Sequence, residues 1–184
     1  ILLNKLGYCN FDEIYVDTDS SEIKEYCLKK KYKIVNRLPK LAKNSANGND
    51  LLNYHGRIIN SEIYFQLFVT APLLSIKTIN DCINILKKNK KIDSIFTAKS
   101  FYTWYWFNKK PVNYNPQILP RSQDCKPVIQ ETTGLYGIRR SALIKYKARI
   151  GKKPYFYEVP FEEAIDIDEN IDLKYLHFLL KQKF

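Results

Sequence analysis

Methionine is absent from this chain of 184 residues, and histidine occurs only at His55 and His177. Two histidines cannot build a histidine-based metal centre alone, and each reads as structural. No stretch of eighteen apolar residues occurs, which excludes a membrane-spanning helix. A basic-then-apolar signal pattern is missing from the first residues. Cys9, Cys27, Cys82 and Cys125 are scattered, with no C-x-x-C pair and no histidine at ligand spacing. They read as four reduced thiols of a cytoplasmic protein rather than a disulfide frame or zinc site. Internal repeats and low-complexity segments are lacking too. Without any methionine, Ile1 is a poor natural start, and a preceding segment is expected.

What is present is an ordinary globular composition, 45% apolar and 27% charged, long enough to bury a core as one domain over residues 1–184. The formal net charge of +11 is open to nucleic acid, an anionic small substrate or lysine-rich usage. The lysine runs at 29–31 and 87–91 fall at expected helix ends, where cations suit the macrodipole and a solvated face explains them.

The pattern along the chain alternates. A helix tail (Leu2–Leu6) precedes a strand at Glu13–Asp17, and Asp19 offers an N-cap with Glu22 at capping-box spacing for a helix at 20–30. A strand at Lys33–Asn36, a polar loop and a helix at Asp50–Ile59 follow. Ile63–Val69 reads as a central strand covered on both faces. Ser75 caps a helix with its stripe at Ile76, Ile79, Ile83 and Leu86, and Asp93–Lys99 is the next strand. This order predicts an α/β fold with an open, mostly parallel sheet. From 101 to 120 the texture turns aromatic, through Tyr102, Trp104, Trp106 and Phe107. That excursion could stack on a base, but a contact with a partner subunit is the preferred reading. Val128–Ile138 is a strand or strand pair, Arg140–Arg149 a helix, Tyr155–Val159 extended, and Ile171–Leu180 a closing amphipathic helix.

Between them, alternation over Ala164–Asp168 predicts a short strand with Asp166 and Asp168 on one face, about 6.6 Å apart at Cα. Two carboxylates so placed can converge on Mg2+, which takes one or two carboxylates and fills its remaining positions with water and phosphate oxygens. The same residues could be an acidic strand end facing water. Ligands bind at the carboxyl ends of strands in open α/β sheets, and Thr18-Asp19 and the 70–72 segment lie at two further such ends.

Three segments in order then resemble one family. Phe11–Ser20 is similar to the "FDE-hydrophobic-VSTDS" stretch of the acylneuraminate cytidylyltransferases. Arg121-Ser122-Gln123-Asp124 with Glu131–Tyr136 resembles their "R-x-Q-D … E-x-x-G-hydrophobic-Y", and Glu163–Asp168 their closing metal motif. The resemblance implies a three-layer Rossmann-like nucleotide-sugar transferase fold, a homodimer, and Mg2+-dependent transfer of CMP from CTP to a sugar acid with release of pyrophosphate. It implies that Asp166 and Asp168 hold the metal and that Arg121 and Gln123 contact substrate. Arg121 could equally be a surface loop charge. Glu131 could orient a site arginine or pair across the sheet.

Two departures stand out. The family's Gly-, Arg- and Lys-containing triphosphate loop has no counterpart in these residues, which points to a missing preceding segment or a non-catalytic, dimerising or regulatory relative. At Leu67–Leu74, where the family reads "L-Q-P-T-S-P-L-R", Phe68 replaces Gln and Leu74 replaces Arg, while Thr70 and Pro72 match. Gln66 stands two residues earlier on the same strand face as Phe68. These changes imply a different acyl sugar or a less anionic acceptor. Asn47–Asp50 could cap a helix or touch a ligand. The basic turn at 149–154 could close over an anion or merely follow a helix C-cap glycine. A nucleic-acid-binding module is disfavoured, because the basic residues are dispersed and no recognised motif accompanies them.

Overall fold

The computed structural model describes residues 1–182. Its elements are α1 (Leu2–Leu6), β1 (Tyr15–Thr18), α2 (Ser21–Lys29), β2 (Lys33–Asn36), α3 (Gly48–Ile58), β3 (Ile63–Leu67), α4 (Ile76–Lys88), β4 (Ser94–Phe101), the two-residue β5 (Trp106–Phe107) and β6 (Lys110–Pro111), β7 (Val128–Arg139), α5 (Arg140–Tyr146), β8 (Pro154–Glu158) and α6 (Asn170–Gln182). The α/β class is as expected.

β3, β7, β4 and β8 form one sheet in that order, while β1 and β2 make a separate parallel pair. β3 and β4 each run antiparallel to β7, and β8 runs parallel to β4. Three strands of this sheet therefore point one way and β7 alone is reversed, so the sheet is mixed. The expected central strand, β3, lies at an edge, and β7 takes the interior position beside it.

The period of two along each strand divides the side chains between two helical layers. Ile95 and Leu135 are fully buried with Leu2 and Leu6 of α1 and Ile79, Ile83 and Leu86 of α4, and Ile63, Phe65 and Leu67 join them. On the opposite face Tyr64 and Ile138 pack with Leu52 of α3 and Ala142 and Leu143 of α5. Further along that second face lie Phe96, Ala98 and Tyr136, covered by Phe68 and Ile150 rather than by a helix. This helix-free stretch adjoins the carboxyl ends of β3 and β4.

Local chemistry sets the helix starts. Asn47 accepts hydrogen bonds from the Asn49 and Asp50 amides while Asp50 accepts from the Asn47 amide, a complete capping box that opens α3. Ser75 caps α4. The cap of α2 is Ser20, which accepts from the Ile23 amide, and not Asp19. Both are oxygen-bearing residues at the same turn, and spacing alone does not separate neighbours. α5 stops at Tyr146, three residues short of expectation, because Lys147 adopts the left-handed conformation (φ 51°) that ends helices. The aromatic excursion yields only the β5–β6 hairpin.

β7 bulges at the site. Phe96 of β4 pairs with Tyr136 and Ala98 with Glu131, so β7 places Thr132, Thr133, Gly134 and Leu135 opposite a single β4 residue. Thr133 sits there at φ 53°, costly for a β-branched residue.

Candidate functional site

The acidic run is not a strand. After a 3-10 turn at Phe161–Ala164 it continues without a ladder partner. A single backbone hydrogen bond, Ile167 N–H to Thr70 O at 2.8 Å, holds it to the end of β3. Ile165, Asp166 and Ile167 are all half-buried, so the alternation of isoleucine and aspartate does not separate a buried side from an exposed one.

This anchoring brings Asp166 to β7. Thr133 donates its hydroxyl to Asp166 Oδ2, and the left-handed backbone of the bulge is what aims that hydroxyl outward. Asp166 Oδ1 is buried with no hydrogen-bond partner. An orphan carboxylate oxygen costs more than about 1–3 kcal/mol, and such groups mark sites that a ligand completes. Asp168 is exposed, beside a shallow depression of about 540 Å³ lined by Ile167, Asp168, Glu169 and Ile171. Its amide donates to Asp172 Oδ2 at the start of α6. Among the described residues no cluster of three or more His, Cys, Asp or Glu side chains forms a ready cage. The unpartnered buried oxygen of Asp166 is a group that a Mg2+ ion, drawing most of its ligands from phosphate and water, would satisfy.

At the end of β1, Asp17 is gripped from two elements. His55 Nε2 of α3 lies 2.7 Å from Asp17 Oδ2, and Arg37 Nε donates to Oδ1 at 2.9 Å from just beyond β2. Burial works to raise the Asp17 pKa, but the hydrogen bonds from His55 and Arg37 outweigh it and hold it below the usual carboxylate range. Asp19 is mostly exposed and 3.8 Å from Arg37. His55 thus ties α3 to the end of β1.

On the helix-free face, Gln66 pairs across the ladder with Tyr136. Its Nε2 donates to Gly48 O at 3.1 Å, the first residue of α3. The carbonyl partner fixes the orientation of the amide and leaves the buried Oε1 without a donor. The basic turn after α5 reaches the same place. Asp93 accepts from the Lys152 and Lys153 amides, and a side chain at Gly151 would overlap the Asp93 carboxylate, so that glycine serves close approach rather than helix capping. Thus braced, the turn lays the Arg149 guanidinium over Tyr136, 3.7 Å from the ring centroid. Its charged neighbour, Glu131, is 3.8 Å away and accepts the Tyr136 hydroxyl proton at 2.8 Å. Glu131 therefore faces an arginine, one of the two roles open to it.

Arg121 and Gln123 stand apart. Both are exposed on a 3-10 turn at the base of the aromatic excursion, where Arg121 Nε binds Asp124 at 2.7 Å. Among the described residues no hydrogen bond or ion pair joins either to the strand ends. Thr70 enters through its backbone carbonyl. Arg149 belongs to the basic turn that the sequence offers as closing over an anion, whereas Thr133 and Arg37 carry no such signal. For Thr133 the one available signal was a threonine where a glycine follows and a bulge was needed.

All four cysteines are free, and no described helix is long and apolar enough to cross a membrane.

Comparison with known proteins agrees with this geometry. The chain is similar to the N-acylneuraminate cytidylyltransferase A of Danio rerio, 26% identical over 171 residues, and to the Oncorhynchus mykiss N-acylneuraminate cytidylyltransferase, 26% over 172. Each match takes in 88% of this chain but 39% of the relative, so the chain spans about two fifths of their length. Among solved structures, a CMP:2-keto-3-deoxy-manno-octonic acid synthetase complexed with CTP superposes with a TM-score of 0.71 at 14% identity, covering 100% of this chain and 86% of the other. A 4-diphosphocytidyl-2C-methyl-D-erythritol synthase from Anaerococcus prevotii gives 0.69 at 15%, covering 98% and 84%. At these identities the superpositions establish the Rossmann-like fold. The cytidylyltransferase family model matches residues 2–183, and the chain belongs to the cytidylyltransferase family.

Proposed function

We propose that the intact protein transfers CMP from CTP to the hydroxyl of a sugar acid and releases pyrophosphate, and that it works as a homodimer. The observation that carries this reading is Asp166, fastened by Thr133 and by the backbone at Thr70 at the carboxyl ends of the strands, with one carboxylate oxygen left unpartnered. In the reaction an acceptor oxygen bonds to the α-phosphorus while the bond to the pyrophosphate oxygen breaks. Such transfers depend on positioning and on neutralising charge.

Asp166 and Asp168 would hold Mg2+, which when bound supplies a Lewis acid for phosphate oxygens. Thr133 keeps the Asp166 carboxylate turned toward the substrate. Asp17, His55 and Arg37 lock the ends of β1 and β2 to α3, so that α3 presents Gly48 and Asn49 to the crevice, and Asp19 borders the same strand end. Gln66, Thr70 and Gln123 are assigned to substrate binding. Arg121 supplies a guanidinium whose fork suits a phosphate or carboxylate, released from Asp124 when substrate arrives. Exposed Trp106 and Phe107 on the excursion are the apolar surface a second copy would cover.

The test is pyrophosphate release by the intact protein with CTP, Mg2+ and a panel of sugar acids, with UTP as control. Release with CTP, reduced at least about 100-fold by Asp166→Asn, is expected. Unchanged turnover in Asp166→Asn would sink the metal assignment, and no release with any acceptor would favour a non-catalytic relative.

A further inference from the structure

Gln66 Oε1 and the Arg149 guanidinium are neighbouring polar groups whose hydrogen-bonding capacity is left open. Oε1 is an acceptor on a side chain only 9% exposed, with no donor. Among the described residues the guanidinium donates no hydrogen bond. It rests on the Tyr136 face, 5.8 Å from Phe68, with Glu131 at ion-pair distance only. The two lie on either side of Gly48. A Cβ there would be 3.0 Å from Arg149 Nη1 and 3.5 Å from Gln66 Oε1. Glycine therefore keeps away a side chain that would crowd both groups, around an amide oxygen that is closed to solvent until Arg149 moves.

Resting on the transferase reading above, the geometry points to a specificity pocket in which Gln66, Arg149 and Gly48 receive a hydroxyl of the acceptor. That hydroxyl donates to Gln66 Oε1 and accepts from Arg149. An anionic group does not fit, because it would face two acceptors, Oε1 and the Glu131 carboxylate. An apolar group leaves both partners unpaired. Arg149 also covers the amide. Held by ring stacking and a long ion pair rather than hydrogen bonds, it lifts from Gln66 as the acceptor enters and settles on the bound hydroxyl.

The experiment measures acceptor and CTP binding separately by ligand-observed NMR and calorimetry, using N-acetylneuraminic acid, 2-keto-3-deoxy-manno-octonic acid and monodeoxy analogues of whichever binds best. Wild type is compared with Gln66→Leu and Arg149→Met, each checked by thermal melting. Because Arg149 is partly exposed, Arg149→Met reports even where Gln66→Leu folds poorly. Acceptor affinity is expected to fall about 10- to 100-fold in each variant, with CTP affinity within about twofold. One monodeoxy analogue should bind wild type and Gln66→Leu equally. Wild-type acceptor affinity in both variants, a loss that falls on CTP instead, or no sugar acid bound by wild type would each overturn the pocket. Pyrophosphate release judges the transferase reading independently. An acceptor that binds through Gln66 without being cytidylylated keeps the pocket and rejects that reading.

Discussion

Thr133 shows how one residue can serve the site at the expense of the fold. Its left-handed backbone (φ 53°) is unfavourable for threonine, yet that conformation carries its hydroxyl to Asp166. Asparagine tolerates the left-handed region and keeps a donor, so Thr133→Asn should raise stability by up to about 1 kcal/mol. Thr133→Val retains the strain and removes the donor, and should cost roughly 1.5–3 kcal/mol. Chemical denaturation of the two variants is the check, and equal stabilities would mean that the hydroxyl does not hold the carboxylate. Asp166 and Asp168 were legible in the sequence because carboxylates two apart in an apolar alternation are conspicuous. Thr133 was not, since a backbone outlier leaves no periodic trace.

Among the elements, the link between the β1–β2 pair and α3 depends on charge. Asp17 is held below the ordinary carboxylate pKa by His55 and Arg37, against its own burial. A carboxyl group depressed on folding contributes stability that is complete above its unfolded pKa, about 3.9. That contribution is lost as pH falls through the lower folded value. Asp17→Asn should therefore be less stable than wild type at pH 7, and the gap should narrow below about pH 4. Melting curves from pH 7 to pH 2 test this, and parallel acid limbs would discard the linkage. Helix starts were readable because capping chemistry is local, as at Asn47 and Ser75. The direction of β7 was not, since pairing depends on residues far apart in sequence. The acidic segment misled because an alternation of residue types does not establish that a ladder partner exists.

At the scale of the molecule, Trp106, Phe107, Ile118 and Leu119 are each more than half exposed on the excursion, too much apolar surface to leave in water on one arm. If a second copy covers it, Phe107→Asp should weaken self-association by roughly 30-fold or more, measured by sedimentation equilibrium, without unfolding the sheet. A wild type that sediments as a monomer at all concentrations would remove the dimer. The reversed strand has a consequence of its own. β3 and β4 precede β7 in the chain and meet no partner in one another, since β7 separates them. During synthesis both therefore leave the ribosome with bare hydrogen-bonding edges; β7 joins them only once residue 139 has emerged, and β8 covers the other edge of β4 only after residue 158. Until then the nascent chain presents two adhesive ribbons to its neighbours, so a holdase chaperone at the exit tunnel should matter more to its yield than to that of a sheet that zips in chain order.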